Sequence, residues 1–328
     1  MLTIRCRSGF TFQCHPIGGQ VFASVDQANA ATGEQAIRRT FNACHAHTDD
    51  PGPYDSWAPV GSSKPEWDRI HFSDLLHAMF DLRMGSFTQK RSELGYLNAL
   101  GKDDERSVGQ VLEFELPCNG CGKLFGACAD LKDVLETGTP WMDDVRLFFS
   151  RAEDLRTRTR GGDTIFWRPS TMSLNEPMTK AMKRIIGPAY GTRERPEGVV
   201  EMIVKHVTKV ITRKPKGDGF EEVIIGPDIR ALYKWFTRNG NGEDIDQMVL
   251  ELDVRQPTVS NEVLLTCYHC GMEQRRALPF GGTYFFPSTS QQAKQAREKL
   301  RQRRLAEEQK KRAQESEQAT SSDSSSPA

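Results

Sequence analysis

Hydrophobic and polar residues alternate in two short stretches, and each stretch leads into a pair of cysteines. In residues 111–116, large apolar side chains at even positions alternate with residues that include two glutamates. This period of two is typical of a half-buried strand. Residues 262–266 form a similar extended, apolar run before the second pair. The sequence therefore predicts the unit strand, cysteine pair, strand in two copies, and the return strand of the first copy includes Leu124, Phe125 and Leu131.

The region before the first cysteine pair is predicted to mix strands with helices. Residues 2–25 alternate weakly around two glycine turns, which indicates short strands or hairpins. Apolar residues at three- and four-residue spacing predict a helix over 27–44 and another over 75–82, which Gly85 would end. Residues 48–66 are rich in Pro, Gly, Asp and Ser and are predicted to form a loop.

The long segment between the two cysteine pairs has patterning of its own. Its apolar periodicity and its turn residues predict both strands and helices. In chain order, the predicted elements are a strand at 163–168, a helix at 173–186, a hairpin made of a β-rich stretch at 199–212 and a strand at 220–225, a helix from Pro227 to Gly240, and a short helical or mixed segment at 244–254.

Length and charge exclude several classes of protein. The chain has 328 residues, enough for one large or two modest domains with proper cores. Its 44 basic and 44 acidic residues balance, so no global field favours nucleic acid or a membrane surface. It contains no run of 18 apolar residues that would predict a transmembrane helix. Its first residues lack the apolar core of a signal peptide.

The two cysteine pairs carry the strongest chemical signal. Each has the form Cys-x-x-Cys-Gly, with sulfurs at Cys118 and Cys121 in the first and at Cys267 and Cys270 in the second. Four thiolates complete a closed tetrahedral zinc site, and the glycine lets the backbone turn sharply behind the sulfurs. Two alternatives stay open: the pairs are free core thiols, or one is a redox dithiol. A thioredoxin-type motif occurs singly, so the second copy argues against the redox alternative.

A shared site requires closure of a long loop, because 145 residues lie between Cys121 and Cys267. The entropy of loop closure grows only with the logarithm of length. A structural zinc site contributes roughly 10–16 kcal/mol of apparent free energy, enough to offset that cost. The predicted fold is therefore α+β, a split zinc ribbon with a long α+β insertion and an N-terminal region of β-hairpins and helices. The predicted regions are 1–110 (N-terminal), 111–131 with 261–287 (ribbon), 132–260 (insertion) and 288–328 (tail).

A second metal cluster is a weaker hypothesis. Cys14, Cys44, His45 and His47 include residue types that bind zinc, and three of them are close in sequence. Their spacing is irregular, and no further Cys-x-x-Cys accompanies them. We therefore favour a helix end with exposed histidines at this position.

The sequence contains no assembled catalytic motif. Pro117-Cys118-x-x-Cys121 matches half of the zinc-deaminase signature, but no His or Cys has the required Glu two residues later. A four-cysteine site also leaves no open position for water. Metalloprotease, phosphate-loop and nucleophile-elbow motifs are absent from the sequence. The acidic clusters 103–105 and 143–144 lie in loop-like sequence and are interpreted as surface, so we predict that the protein is not an enzyme.

The tail differs in composition from the rest of the chain. Residues 291–313 contain nine basic and three acidic residues and few apolar ones. This pattern predicts a solvated basic helix. Residues 319–328 are low-complexity and are predicted to be disordered.

The order of these features resembles a known family, the zinc-ribbon baseplate hub assembly proteins of contractile-tailed, T-even-type bacteriophages. The matching features span about residues 1–287 and occur in the same order. They are a helix ending in Asp81-Leu82-Arg83-Met84-Gly85, the first Cys-x-x-Cys-Gly followed by Asp130-Leu131, a strand with Ile165-Phe166-Trp167-Arg168, a turn with Asn175-Glu176, a hairpin and a helix, the second Cys-x-x-Cys-Gly before Leu278-Pro279-Phe280, and the ending Tyr284-Phe285-Phe286-Pro287. The loop at 48–66 and the tail after Pro287 depart from the pattern.

The resemblance implies a non-enzymatic protein of tail assembly, either a baseplate hub component or an assembly chaperone. It implies one structural Zn²⁺ per chain, other tail and baseplate hub proteins as partners, and a place in the host cytoplasm during assembly or in the virion tail. The alternative from another class is a zinc-ribbon nucleic-acid-binding protein that uses the basic tail and Arg275-Arg276 against phosphates. The balanced charge of the chain counts against nucleic acid as a partner.

Overall fold

All strands in the described part of the chain pair antiparallel, and they form several small sheets. This computed structural model describes residues 1–18, 21, 33–93, 105–151, 154–159, 161–191, 195, 197–216, 219–240, 242–259 and 262–277. These residues belong to one compact unit, Met1–Phe285. Helices and small sheets alternate along it, so the predicted α+β class is confirmed. Within the described residues, no helix combines the length and the apolarity needed to cross a bilayer.

The N-terminal region is built on a three-stranded sheet with the order β1-β2-β3. Its strands are β1 (Leu2–Arg5), β2 (Thr11–Cys14) and β3 (His45–Asp50), and helix α1 (Gly33–Cys44) runs directly into β3. The predicted helix at 27–44 is confirmed from Gly33 onward, and residues 27–32 lie outside the described part. Aromatic rings fill the core beneath the sheet. Phe10 stacks on Phe12 and Phe41 stacks on Trp67, each pair with ring centroids 4.7 Å apart.

Helix α2 (Phe72–Ser86) packs beside β1 and passes through Gly85 rather than stopping before it. A Cβ atom at Gly85 would lie 2.8 Å from the side chain of Leu2. Glycine therefore lets the helix approach β1 closely, whereas the sequence suggested only a stop signal. Residues 48–66 are largely irregular, as predicted, apart from the end of β3 and a short 3₁₀ turn at Gly52–Tyr54.

The insertion contains a four-stranded sheet in the order β6-β7-β8-β9, covered on one face by helices. The strands are β6 (Leu155–Arg158), β7 (Thr164–Trp167), β8 (Val207–Lys216) and β9 (Gly219–Ile225). The helices are α5 (Met172–Ile186), α6 (Val199–His206), α7 (Ile229–Arg238) and α8 (Gly242–Arg255). Leu155, Ile165, Trp167 and Val210 are buried on the covered face.

The predicted β-rich stretch at 199–212 was half wrong. Its first eight residues form helix α6, and only Val207 onward is strand. The β-branched composition suggested a strand, but Ile203 and His206 are buried at helical spacing. The Glu201 carboxylate also accepts a hydrogen bond from the Gly198 amide at the start of the helix. Capping and burial therefore outweighed residue propensity here.

Two two-stranded hairpins occupy the segments that were predicted to form a ribbon. β4 (Val111–Pro117) pairs with β5 (Leu124–Asp130), and β10 (Glu262–Thr266) pairs with β11 (Glu273–Ala277). The return strand was predicted to include Leu131, but the strand ends at Asp130. The Asp130 carboxylate accepts from the Lys132 amide at 2.9 Å and thereby caps helix α3 (Leu131–Glu136).

Helix α4 (Asp143–Arg151) corrects the interpretation of residues 143–144 as a surface loop. The two aspartates occupy its first turn, where negative charge is favourable to the helix dipole. Asp144 also forms an ion pair with Arg255 of α8. Residues 103–104 of the other acidic cluster lie outside the described part.

Candidate metal centre

The first cysteine pair sits in the turn between β4 and β5, and the second sits in the turn between β10 and β11. In each turn the amide after the second cysteine donates to the carbonyl of the first, Gly122 to Cys118 at 2.9 Å and Gly271 to Cys267 at 2.7 Å. These glycines have φ values of 70° and 72°, in the left-handed region that side chains with a Cβ adopt at a cost.

A second hydrogen bond repeats in both turns. The amide of Cys118 donates to the carbonyl of Lys123 at 2.9 Å, and the amide of Cys267 donates to the carbonyl of Met272 at 2.9 Å. The two turns therefore share one backbone fold, and in each of them both sulfurs face the same side. Such local geometry follows from the spacing Cys-x-x-Cys-Gly, which both copies carry.

The four sulfur atoms converge into one cluster, as predicted. Cys118 Sγ lies 3.6 Å from Cys270 Sγ, and Cys121 Sγ lies 3.9 Å from Cys267 Sγ. All four lie within 4.8 Å of one another. A zinc ion with bonds of about 2.3 Å to four tetrahedral sulfurs separates them by about 3.8 Å. Disulfide sulfurs would be only about 2.05 Å apart, so the spacing fits a metal rather than a cross-link.

The electrostatics of the cluster also fit a cation. The backbone amides of Cys121 and Gly120 hydrogen-bond to Cys118 Sγ and lower the pKa of that thiol to about 6. The amide of Met272 lowers the pKa of Cys270, but its hydrogen bonds to the neighbouring thiols outweigh this effect and raise the pKa to about 12. One thiolate therefore forms readily, while further thiolates beside it need a positive charge between them.

Contacts around the cluster join the two hairpins. The Asn119 amide donates to Gln274 Oε1 at 3.1 Å, and Arg276 Nη2 donates to the carbonyl of Pro117 at 2.8 Å. His269 Nε2 hydrogen-bonds to the carbonyl of Leu124 at 3.1 Å. These partners orient the turns that carry the sulfurs, as outer-shell groups do in metal sites. Their sequence signal is weak, because single polar residues beside a knuckle have no diagnostic spacing.

The cluster lies at the protein surface on one side. Cys118 and Cys267 are buried, whereas the side of the cluster at Cys270 is exposed. Four protein thiolates fill a tetrahedral coordination sphere and leave no position for water or a substrate. The arrangement is therefore suited to holding chain segments together and unsuited to Lewis-acid catalysis.

The second candidate cluster is not brought together. Among the described residues, only the four-cysteine group has enough ligand atoms in reach of one ion, and it does not include Cys14, Cys44, His45 or His47. A bulge at Ala46 shifts the pairing, so that Cys14 lies opposite His45 and Gln13 opposite His47.

The expectation of exposed histidines in this region was also wrong for His45. Its ring is buried against Trp67, and its Nε2 pairs with Thr48 Oγ1 at 3.0 Å. Burial, followed by the nearby charges of Lys64 and His47, lowers the pKa of His45 to about 4. Burial raises the pKa of the Cys44 thiol to about 11. These groups are neutral core residues.

Cys128 lies outside the four-sulfur group. It is exposed on β5, opposite Glu113 of β4. Because Cys128 lies on the same hairpin as Cys118 and Cys121 but away from the turn, its substitution is a matched control for substitutions of the clustered cysteines.

A buried polar network in the N-terminal region was missed by sequence analysis. Tyr54 donates its hydroxyl proton to Asp74 Oδ2 at 2.8 Å, and both side chains are buried. Burial raises the pKa of Asp74 to about 6, although hydrogen bonds from Ser8 and Tyr54 oppose the shift. Nearby, burial lowers the pKa of His71 to about 3 and that of His206 to about 4. These side chains are closely packed and form part of the buried core.

Comparisons with protein families, with curated proteins and with solved structures give no match to this chain.

Proposed function

We propose that this protein is a non-catalytic structural protein in which one Zn²⁺ holds two distant segments of the chain together. The ligands would be Cys118, Cys121, Cys267 and Cys270. The observation that carries the proposal is the convergence of these four sulfurs from two cysteine pairs that have 145 residues between them. Zinc is favoured because four thiolates in a closed tetrahedral set are its commonest structural site.

The test is the metal content of the purified full-length protein, with free thiols counted before and after chelation. One zinc per chain and four additional reactive thiols after chelation are expected. Iron in place of zinc would colour the protein and would contradict the choice of metal. Absence of any bound metal in protein purified under reducing conditions with zinc supplied would contradict the site.

We further propose that the protein acts in assembly of a phage tail baseplate hub, as a hub component or as an assembly chaperone. The support is the ordered set of motifs that resembles the baseplate hub assembly family, together with a ribbon that has no open metal position. Its partners would be other tail and hub proteins, met in the host cytoplasm during assembly. A hub component would stay in the virion tail, whereas a chaperone would leave.

Co-expression with the tail proteins of the same phage tests this proposal. A stable complex on size-exclusion chromatography is expected with at least one hub protein, and mass spectrometry of purified particles then separates a component from a chaperone. Failure to associate with any hub protein, for zinc-loaded chain at micromolar concentration, would refute it. The comparison requires the metal-loaded protein because loss of zinc is expected to unfold the ribbon.

The sequence-based alternative, a ribbon that binds nucleic acid through Arg275-Arg276 and the basic tail, gains nothing from the ribbon itself. Arg276 directs its guanidinium to the carbonyl of Pro117 and to the Asn119 side chain. It therefore acts as a contact between the hairpins. The tail lies outside the described residues.

A further inference from the structure

The four-stranded sheet of the insertion has an uncovered side with unusual chemistry. Successive residues of a strand point to opposite faces, so the positions facing away from the buried core can be assigned directly from the register. We call this side the outer face and define it by Arg156, Phe166, Lys209, Arg213, Phe220 and Ile224. A solvated face of an antiparallel sheet is ordinarily polar throughout. Here apolar and cationic side chains predominate, and the carboxylate of Glu222 also lies on this face, opposite Arg213.

Two large apolar residues on the outer face are strongly exposed. Phe220 is 75% exposed and Ile224 is 64% exposed, both on the edge strand β9. Exposed apolar side chains clustered on one face mark an interaction site more often than single ones do. An unpartnered aromatic ring at a sheet surface also offers a flat stacking platform.

The cations of the outer face lie beside its aromatic residues. In one row across the sheet, Arg156, Phe166 and Lys209 are neighbours on β6, β7 and β8. Lys209 Nζ lies 4.3 Å and Arg156 Cζ 5.4 Å from the centre of the Phe166 ring. Within the described residues, neither cation forms a salt bridge. Arg213 forms only an exposed pair with Glu222 at 3.4 Å, which a phosphate can replace at little cost.

We propose that the outer face binds single-stranded nucleic acid. Its backbone phosphates would contact Arg156, Lys209 and Arg213, and a base would stack on Phe220. A sheet surface with exposed aromatic and basic side chains fits unstacked bases and a phosphate backbone. The proposal depends on neither the zinc ion nor a role in tail assembly, since the sheet lies outside the ribbon.

The edge of the sheet at β6 limits the path of the strand. There Arg158 borders an open crevice of about 550 Å³ whose other lining residues include Glu243, Asp246 and Glu251. These carboxylates would repel phosphates. The nucleic acid is therefore expected to contact β6 only at Arg156 and to continue over β7, β8 and β9, away from the Arg158 end of that edge.

Fluorescence anisotropy of the full-length, zinc-loaded protein with labelled oligo-uridine and oligo-thymidine of about 20 nucleotides tests the proposal. The slope of log association constant against log salt concentration is negative. In the triple variant Arg156→Ala/Lys209→Ala/Arg213→Ala its magnitude should fall by about 2, because each phosphate contact on a single strand contributes about 0.7. The matched control Arg230→Ala/Lys234→Ala/Arg238→Ala removes three exposed cations of helix α7 and should leave the slope unchanged. The basic tail is present in both variants, so its contribution cancels.

Phe220→Ala supplies an independent test, because the ring is exposed and its loss should leave the fold intact. Affinity for the single strand should fall at least about fivefold, while affinity for a duplex of the same length should be unchanged. Absence of single-strand binding, equal slopes for the two triple variants, or no effect of Phe220→Ala would each overturn the proposal. If no single strand binds, the exposed apolar residues of the outer face would instead favour a protein segment as its ligand.

Discussion

The two hairpins that carry the cysteine pairs and the insertion of this protein differ in construction. The ribbon segments are two two-stranded hairpins, β4–β5 and β10–β11, and among the described strand residues of the second hairpin only Leu265 is a buried apolar side chain. In the insertion, a four-stranded sheet and several helices pack around buried residues such as Trp167, Ile203 and Phe236. A lone hairpin is marginally stable in water, whereas a sheet packed on helices is stable through apolar burial. We therefore expect the stability of the ribbon to depend on the proposed metal, and that of the insertion to be independent of it.

The largest expected effect comes from removing one sulfur of the cluster. Cys118→Ser should lose the metal and most of the roughly 10–16 kcal/mol of apparent free energy that a structural zinc supplies. Hydrogen exchange should then become fast in β4, β5, β10 and β11 and stay slow in β7 and β8. Cys128→Ser, on the same hairpin but outside the cluster, should change neither metal content nor exchange. Full zinc and stability in Cys118→Ser would show that the sulfurs do not share an ion.

The converse experiment disrupts the insertion and spares the metal. Trp167 is fully buried and its indole donates to Thr157 Oγ1 at 3.0 Å. Trp167→Ala should lower the free energy of unfolding by about 3–5 kcal/mol, as measured by urea denaturation. Zinc content should stay at one per chain in the folded variant. Loss of zinc in parallel with stability would mean that the two regions unfold as one unit.

Acidification should destabilise the N-terminal and insertion cores. The pKa values of His45, His71 and His206 are lowered by burial, so their contribution is complete above about pH 6.5 and is lost as the pH falls toward 4. The raised pKa of Asp74, about 6, acts in the opposite direction: its contribution is present below about pH 4 and is lost as the pH rises through 6. Three groups outweigh one, so melting temperature should fall between pH 6.5 and 4.5.

Asp74→Asn isolates the opposing group. Without that carboxyl, the loss of stability on acidification should become steeper, by up to about 1.4 kcal/mol per pH unit between pH 6 and 4. The metal site is the same in both proteins, so any acid release of zinc cancels in the comparison. If the melting temperatures of the two proteins change with pH in parallel, Asp74 does not titrate in this range.

The smallest effect concerns the backbone of the second turn. Gly271 has φ 72°, where a Cβ costs about 1–2 kcal/mol. Gly271→Ala should weaken zinc binding by about tenfold in competition with a chromophoric chelator. Gly126→Ala, in β5 of the other hairpin, has no positive φ and no atom within 4 Å of the added Cβ, so it should bind zinc normally. Equal affinities would mean that the left-handed turn is not needed to position the sulfurs.

Local structure was predicted well wherever neighbouring residues decide it. The turns of the cysteine pairs, the strand before each of them, and the helices at 173–186 and 227–240 all follow from spacing and capping residues within a few positions. Asp228, for example, caps helix α7 by accepting from the Arg230 amide at 3.0 Å. Prediction failed at 199–206, where β-branched residues suggested a strand but burial at helical spacing produced α6.

The sequence by itself determined which four thiols form the cluster and how the two sulfurs of each pair are oriented within their turn, because a Cys-x-x-Cys-Gly turn needs only five residues. Only the tertiary structure decided that the two turns meet, since their contact depends on the path of the 145 residues between Cys121 and Cys267. It also decided that His45 is a neutral core residue, because the bulge at Ala46 turns it inward. The outer face of the sheet is a tertiary feature as well. Arg156, Phe166 and Lys209 lie on three strands, and side chains distant in sequence become neighbours only when those strands pair.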